Sequence, residues 1–234
     1  MTSADAASMF ERVMGAEFYR LHPQLQRRFS VGLGSGVAGI GTGVMEEVWH
    51  TAGWVRPFLL LGATRNILAP RRGKNVPFQI ENVPYTDSFG RETVSFVRTF
   101  GYPRGTKRFD AQMVIAPEQT HIIDYLGTHQ HLETPLYFSA EEDGSLTIRS
   151  QGLRFREGPV DVTVPGFISA DATIREQFEE QTGRLRISVT VANDRIGPLF
   201  GYRGWFEQEY FEVAKLKVRP GLRPKREHNP TDRW

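Results

Sequence analysis

The sequence predicts a mainly β protein, a single antiparallel β-barrel or strongly curved sheet of about ten strands. Three observations carry this. From Pro77 to about Val213, apolar residues recur at every second position, the period of a strand whose two faces meet different surroundings. Short turn signals separate these runs and no regular helical pattern intervenes, so neighbouring strands are joined as hairpins and run antiparallel. No proline-rich, glycine-serine or charged linker divides the middle of the 234 residues, which suits one large domain.

The order begins with helices. Asp5 can cap a first helix in which Phe10, Val13, Met14, Phe18 and Leu21 recur at helical spacing, and Pro23 suits the first turn of a second helix containing Leu25 and Phe29. Residues 1–31 therefore read as a helical segment packed on the sheet, and residues 32–214 as the β domain. Glycines 32, 34, 36, 39, 41 and 43 follow, with Gly34 to Gly39 matching G-x-G-x-x-G. That motif needs a strand before it and a helix after it; here the order is reversed, so the run reads as a flexible lead-in to a first strand at Val44–Trp49. A helix is expected within Trp54–Leu68, stopped by Pro70.

The strands come next. Phe78 and Ile80 form one apolar row; Val94, Phe96 and Phe100 share another with Arg98; Phe109, Ala111, Met113 and Ile115 form a third. Ile122 to Leu126 is β-compatible around Asp124, and Leu136 to Phe138 leads through Asp143-Gly144, a strong hairpin signal, into Leu146 to Ile148. Ala172, Ile174 and Phe178 flank Glu176, Leu185 to Val191 alternate cleanly, and the last strand is expected at Trp205–Val213. A sheet of this size curls or closes to remove its edges, and closure leaves an interior able to hold a small ligand, as in lipocalin- and calycin-like barrels. A half-barrel of the steroidogenic-protein type would need a long C-terminal helix, and none is visible.

Composition sets limits. The net charge is +2, but residues 215–234 carry seven basic and two acidic side chains, leaving a mildly acidic body. A nucleic-acid module would carry its positive charge on a folded face, so this end reads as a solvated, disordered basic tail and no nucleic-acid partner is expected. With no cysteine, disulfides, thiolate catalysis and sulfur-based metal sites are excluded. Trp54 to Ala63 is too short and too interrupted to span a membrane, and the opening residues lack a signal-peptide pattern, so a cytoplasmic location is expected.

Several segments together resemble a known family. FERVMGAEFYRLHPQLQRRF, GTGVMEEVW, NVPFQIENVPY, FGRETVSFVRTF, RFDAQMV, IIDYLGTHQHL, LTIRSQGLRF and GPLFGYRGWFEQEY, spread over residues 10–210, are similar to the bacterial domain-of-unknown-function family 4166. That domain occurs at the C-terminal end of YndJ-type proteins and fused to saccharopine-dehydrogenase-like reductases. The resemblance brings no settled activity. It implies a compact bacterial domain that stands alone or partners a reductase.

Candidate site residues are ionisable or polar groups within or beside apolar rows: Arg98, Asp110, Asp124, Tyr125, His129, His131, Arg149, Glu176 and Tyr202. With Phe96, Met113, Tyr125, Phe155, Phe178 and Trp205 they could line a cavity for a small apolar or amphipathic molecule. The same residues allow two other readings. Asp110, Asp124, Glu176 and His129 could serve as acid or base with Tyr125 or Tyr202 as proton donor and Arg98 or Arg149 as anion clamp, or Arg98 could be satisfied by Asp110 or Glu176 in a filled structural core. No nucleophile elbow or triad spacing accompanies them, so catalysis is the weaker alternative. No cofactor is expected; a metal or haem held by His121, His129 or His131 is the alternative, weakened by Gly127-Thr128, which suggests a turn there.

Overall fold

The computed structural model describes residues 7–51, 65–67, 71–157, 160–167, 169–215 and 221–228. Its strands are β1 (Val37–His50), β2 (Gly73–Thr86), β3 (Glu92–Tyr102), β4 (Gly105–Ile115), β5 (Ile122–Leu126), β6 (Leu132–Ala140), β7 (Leu146–Ser150), β8 (Arg154–Glu157), β9 (Val160–Thr163), β10 (Asp171–Glu179), β11 (Arg184–Asn193) and β12 (Gly197–Glu212). β1 to β7 form an antiparallel meander, β10 to β12 extend it, and β12 returns to pair with β1. The result is a closed ten-stranded barrel, as the alternation predicts. β8 and β9 lie outside the ring as a hairpin, β8 pairing with the start of β6 where β7 has ended.

The interior is set by period two. Phe78 and Ile80 of β2, Phe96, Arg98 and Phe100 of β3, Ala111 and Met113 of β4, Ile187 and Val189 of β11, and Tyr202 and Phe206 of β12 are all buried, and the apolar ones belong to a single core. On the first half of β1 the inward positions are glycines, and Met45 and Val48 join the core farther along. Gly41 pairs with Ile80 and Gly43 with Phe78, so both face the lumen with their partners. A Cβ on Gly41 would meet Ile80 and Phe206 at 2.7 Å, and one on Gly43 would meet the Trp205 carbonyl oxygen at 2.1 Å. The second half of the glycine run, Gly39, Gly41 and Gly43, is thus inside β1, while Gly32, Gly34 and Gly36 form the turn that leads into it. The side chains absent from that second half let flanking strands lean across β1, and a bulge between Met45 and Glu47 bends the wall beside it.

Helices cover one end of this barrel. In α1 (Met9–Met14) the cap is Ser8, whose hydroxyl accepts from the Glu11 amide at 3.1 Å; Asp5 lies outside the described residues. A 3₁₀ segment, Gly15–Arg20, leads to α2 (Pro23–Phe29), with Pro23 in its first turn as predicted. Six- and seven-residue helices have little stability of their own. What holds them is burial of Met9, Phe10, Met14, Phe18, Leu21, Leu25 and Phe29, each contributing about 1.5–3 kcal/mol for a fully buried large apolar side chain. Polar ties fix the segment to turns at that end: the His22 amide donates to the Gly144 carbonyl at 2.9 Å, and Arg12 pairs with Glu92 at 2.8 Å.

Residues 221–228 run over the barrel's outer face. Leu222 is buried against Ala38, Val83 and Val97, its carbonyl accepts from the Ser95 hydroxyl at 2.5 Å, and the Lys225 amide donates to the Thr128 carbonyl at 2.7 Å. The expected helix between Trp54 and Leu68 falls almost wholly outside the described residues. Among those described, no helix is long and apolar enough to cross a membrane.

Candidate functional site

The lumen holds a cavity of about 160 Å³, counted as room for the centres of water-sized molecules. It lies toward the end away from the helices, lined where β5, β7 and β11 finish and β6 and β10 begin: Leu126, Ser150, Val191, Leu132 and Ala172. Phe29, packed edge-on against Phe10 at 5.1 Å, lines it from the helical side. Phe96, Phe109, Met113, Ile148, Ile174 and Val189 supply apolar wall. At the seam where β7 ends, side chains replace the ladder: Ser150 Oγ accepts from the Ala172 amide at 2.7 Å, and Asp171 accepts from the Gly152 amide at 3.0 Å.

Four ionisable or phenolic side chains line the cavity: Arg98, Asp124, Glu176 and Tyr202. Their circumstances differ. Glu176 is bound on both carboxylate oxygens by Arg28 of α2, at Oε2 by Nε and at Oε1 by Nη2 at 3.1 Å. Arg28 also donates to Asn82 Oδ1 at 2.9 Å and to Gln208 Oε1, and its guanidinium carbon sits 4.6 Å from the Phe206 ring centre. This pair is complete.

Arg98 has no such partner. Its Nε and Nη1 are buried without a hydrogen bond among the described residues, and its guanidinium lies 4.9 Å from the Phe109 ring centre. The expectation that Asp110 or Glu176 satisfies it is therefore overturned: Glu176 is occupied by Arg28, and Asp110 accepts from Asn66 at 2.9 Å and from Arg108 at 3.0 Å. Asp124 Oδ1 and the Tyr202 hydroxyl are likewise buried and unpartnered. Burial pushes the Asp124 carboxyl up to about 7, with the charge of Arg98 pulling the other way. Burial also raises the Tyr202 phenol, keeping it a neutral donor.

The other candidates lie elsewhere. Asp110 sits next to inward Phe109 and Ala111 and so faces outward; burial raises its carboxyl and the Asn66 and Arg108 bonds oppose the rise. Tyr125, beside inward Asp124, is buried outside the lumen with Val114, Ala116 and Ile123. Arg149 is exposed on β7. Trp205 is outside too, under the Arg184 guanidinium at 3.7 Å, and Phe178 stacks on His22 at 4.9 Å near the helical end; neither they nor Phe155 line the cavity. His129 and His131 occupy the turn between β5 and β6 with rings 5.2 Å apart, and His131 Nδ1 lies 2.5 Å from Glu157 Oε2. Burial lowers the His131 pKa, against the pull of Glu157. His121 precedes β5 and lies 3.2 Å from Glu118. Among the described residues no three His, Asp or Glu side chains gather where a metal ion could be held.

Arg28 was not among the candidates, although a signal existed: it falls between Leu25 and Phe29 on the apolar stripe of α2, where a charge needs a buried counterpart.

Fold and interior together define a class, the closed antiparallel β-barrel with a small, mixed apolar and polar cavity. Residues 21–206 match the family model for a domain of unknown function, DUF4166, and the chain belongs to that family. It is similar to an uncharacterised protein, YndH, of Bacillus subtilis (strain 168), at 32% identity over 204 residues, which cover 87% of this chain and 98% of that relative. No solved structure matches.

Proposed function

We propose that this domain binds a small, partly apolar molecule inside the barrel. One observation carries the reading: an apolar-walled cavity lined by three buried polar side chains, Arg98, Asp124 and Tyr202, that have atoms without a partner among the described residues. A purely structural core avoids this, because a buried polar group without a hydrogen bond costs about 1–3 kcal/mol, and more when charged. A molecule seated in the cavity would satisfy these groups while covering the wall. One water needs about 10–15 Å³, so a space of about 160 Å³ has room for one small molecule in place of several waters.

The test combines native mass spectrometry of the purified protein with calorimetry using 1-octanol. Expected are a co-purifying small molecule, or octanol binding with a negative heat-capacity change, and loss of either in Ala172→Phe, which puts a ring into the cavity. Circular dichroism reports whether that variant folds. No co-purifying species together with no octanol binding by the wild-type protein rules the reading out.

A further inference from the structure

We infer that the molecule held in the lumen carries an anionic group, a carboxylate or an equivalent oxyanion, seated against Arg98 and the Tyr202 hydroxyl. This rests on the reading of the barrel as a binding domain and specifies the ligand's chemistry.

Inside a closed wall every buried charge needs a partner of opposite sign or a hydrogen-bonding one. Among the described residues two guanidinium groups enter the lumen, Arg28 from α2 and Arg98 from β3, and each is almost wholly buried, at 1% and 7% exposure. Two carboxyl groups meet them, Glu176 from β10 and Asp124 from β5. Glu176 is committed to Arg28 through both its oxygens. That leaves Asp124 as the lumen's other candidate anion for Arg98, yet no ion pair joins the two, and Asp124 Oδ1 is itself unpartnered. Among the described residues the cation is therefore surplus.

An isolated buried cation is among the most costly arrangements a protein interior can contain, and an arginine cannot escape it by losing its proton. The two rings beside Arg98, Phe109 and Phe96 at 4.9 and 5.8 Å, soften the cost without supplying hydrogen-bond acceptors. A carboxylate does supply them, and the planar guanidinium is shaped to donate to it. Tyr202 offers a second donor from β12, because burial holds its phenol neutral. The same burial shifts Asp124 toward its neutral form, which reduces its repulsion of a second carboxylate. A neutral alcohol of equal length would fill the apolar wall equally well and leave Arg98 uncompensated. The groups thus select for charge, and the cavity selects for a short apolar body.

The experiment compares octanoate with 1-octanol at pH 6 on the wild-type protein, by calorimetry. Octanoate binds more tightly by roughly ten- to a hundredfold, the value of a hydrogen bond to a charged group. In Arg98→Met the ratio of octanoate to octanol affinity falls to about one; Tyr202→Phe reduces that ratio without abolishing the preference. Should Arg98→Met fail to fold, Arg98→Lys keeps the charge without the planar fork and is expected to lower the preference. Octanoate binding no tighter than octanol in the wild-type protein, or a preference that survives in Arg98→Met, overturns the anionic assignment and leaves the binding reading standing. Failure of both molecules to bind, with nothing co-purifying, overturns that reading as well.

Discussion

Arg28 and Arg98 enter the same lumen, one from the capping helix and one from the wall, and their surroundings are opposite. Around Arg28 stand Glu176, Asn82 and Gln208, contributed by β10, β2 and β12, and all three accept from it. Around Arg98 stand two phenylalanine rings and a carboxyl group that does not reach it. The first arrangement locks a helix onto three strands of the barrel. The second leaves hydrogen-bonding capacity facing a cavity, which structural ionic groups do not do. A buried charge therefore reports on function through its partners more than through its burial.

The largest expected effect breaks the Arg28 side. Arg28→Met leaves Glu176 and Asn82 buried without their donor and is expected to destabilise the fold by about 3–5 kcal/mol in urea denaturation. Adding Glu176→Leu removes the stranded carboxylate and should restore much of the loss. A single variant within about 1 kcal/mol of wild type would contradict the role given to the pair.

The next effect is read through pH. Burial takes the Asp124 carboxyl from an ordinary value of 3.8 up to about 7, so the folded state holds a proton that the unfolded state has released. The stabilising contribution of that proton is complete below the unfolded value and is lost as pH rises through the folded one. About three pH units at ~1.4 kcal/mol each amount to on the order of 4 kcal/mol between pH 4 and pH 7. Denaturation across that interval should show a steeper decline for wild type than for Asp124→Asn, and equal slopes would show that the folded protein does not hold a proton on Asp124.

The smallest effect is expected at the other buried guanidinium, Arg98. Arg98→Met in the ligand-free protein should change stability by less than about 1 kcal/mol or raise it, because an unsatisfied cation gives way to an apolar chain of similar length. A loss as large as that of Arg28→Met would mean that Arg98 holds the fold together and would erase the contrast.

Much of the barrel was legible because its wall is regular. The rows Phe96–Arg98–Phe100 and Ala172–Ile174–Glu176 mark their inward faces directly, and they delivered Arg98 and Glu176 to the lumen. The same logic, applied strictly, would have turned Asp110 away: it sits between Phe109 and Ala111, so inward neighbours force it outward. Asp124 and Tyr125 compete for one face in a five-residue strand, and only pairing with Met113 and Gln112 decides which of them enters. His129 and His131 lie in a turn, where spacing carries no side. The glycines of β1 misled because glycine is a poor strand former; their alternation at 39, 41 and 43 was itself the strand's period, seen where side chains were missing.

Closure of the ring joins residues far apart in the chain. β1, complete by His50, finds one of its two neighbours only in β12, which starts at Gly197, and the pairing runs from Val37 against Glu212 to His50 against Phe200. During synthesis from the ribosome, β1 must therefore wait with an open flank until nearly the whole barrel has been made. Long-range closure of this kind slows folding and exposes a sticky border to neighbouring nascent chains. The carboxylates of Glu46 and Glu47 on that waiting border meet their partners, Arg186 of β11 at 2.7 Å and Arg203 of β12 at 3.1 Å, only when the last two strands arrive.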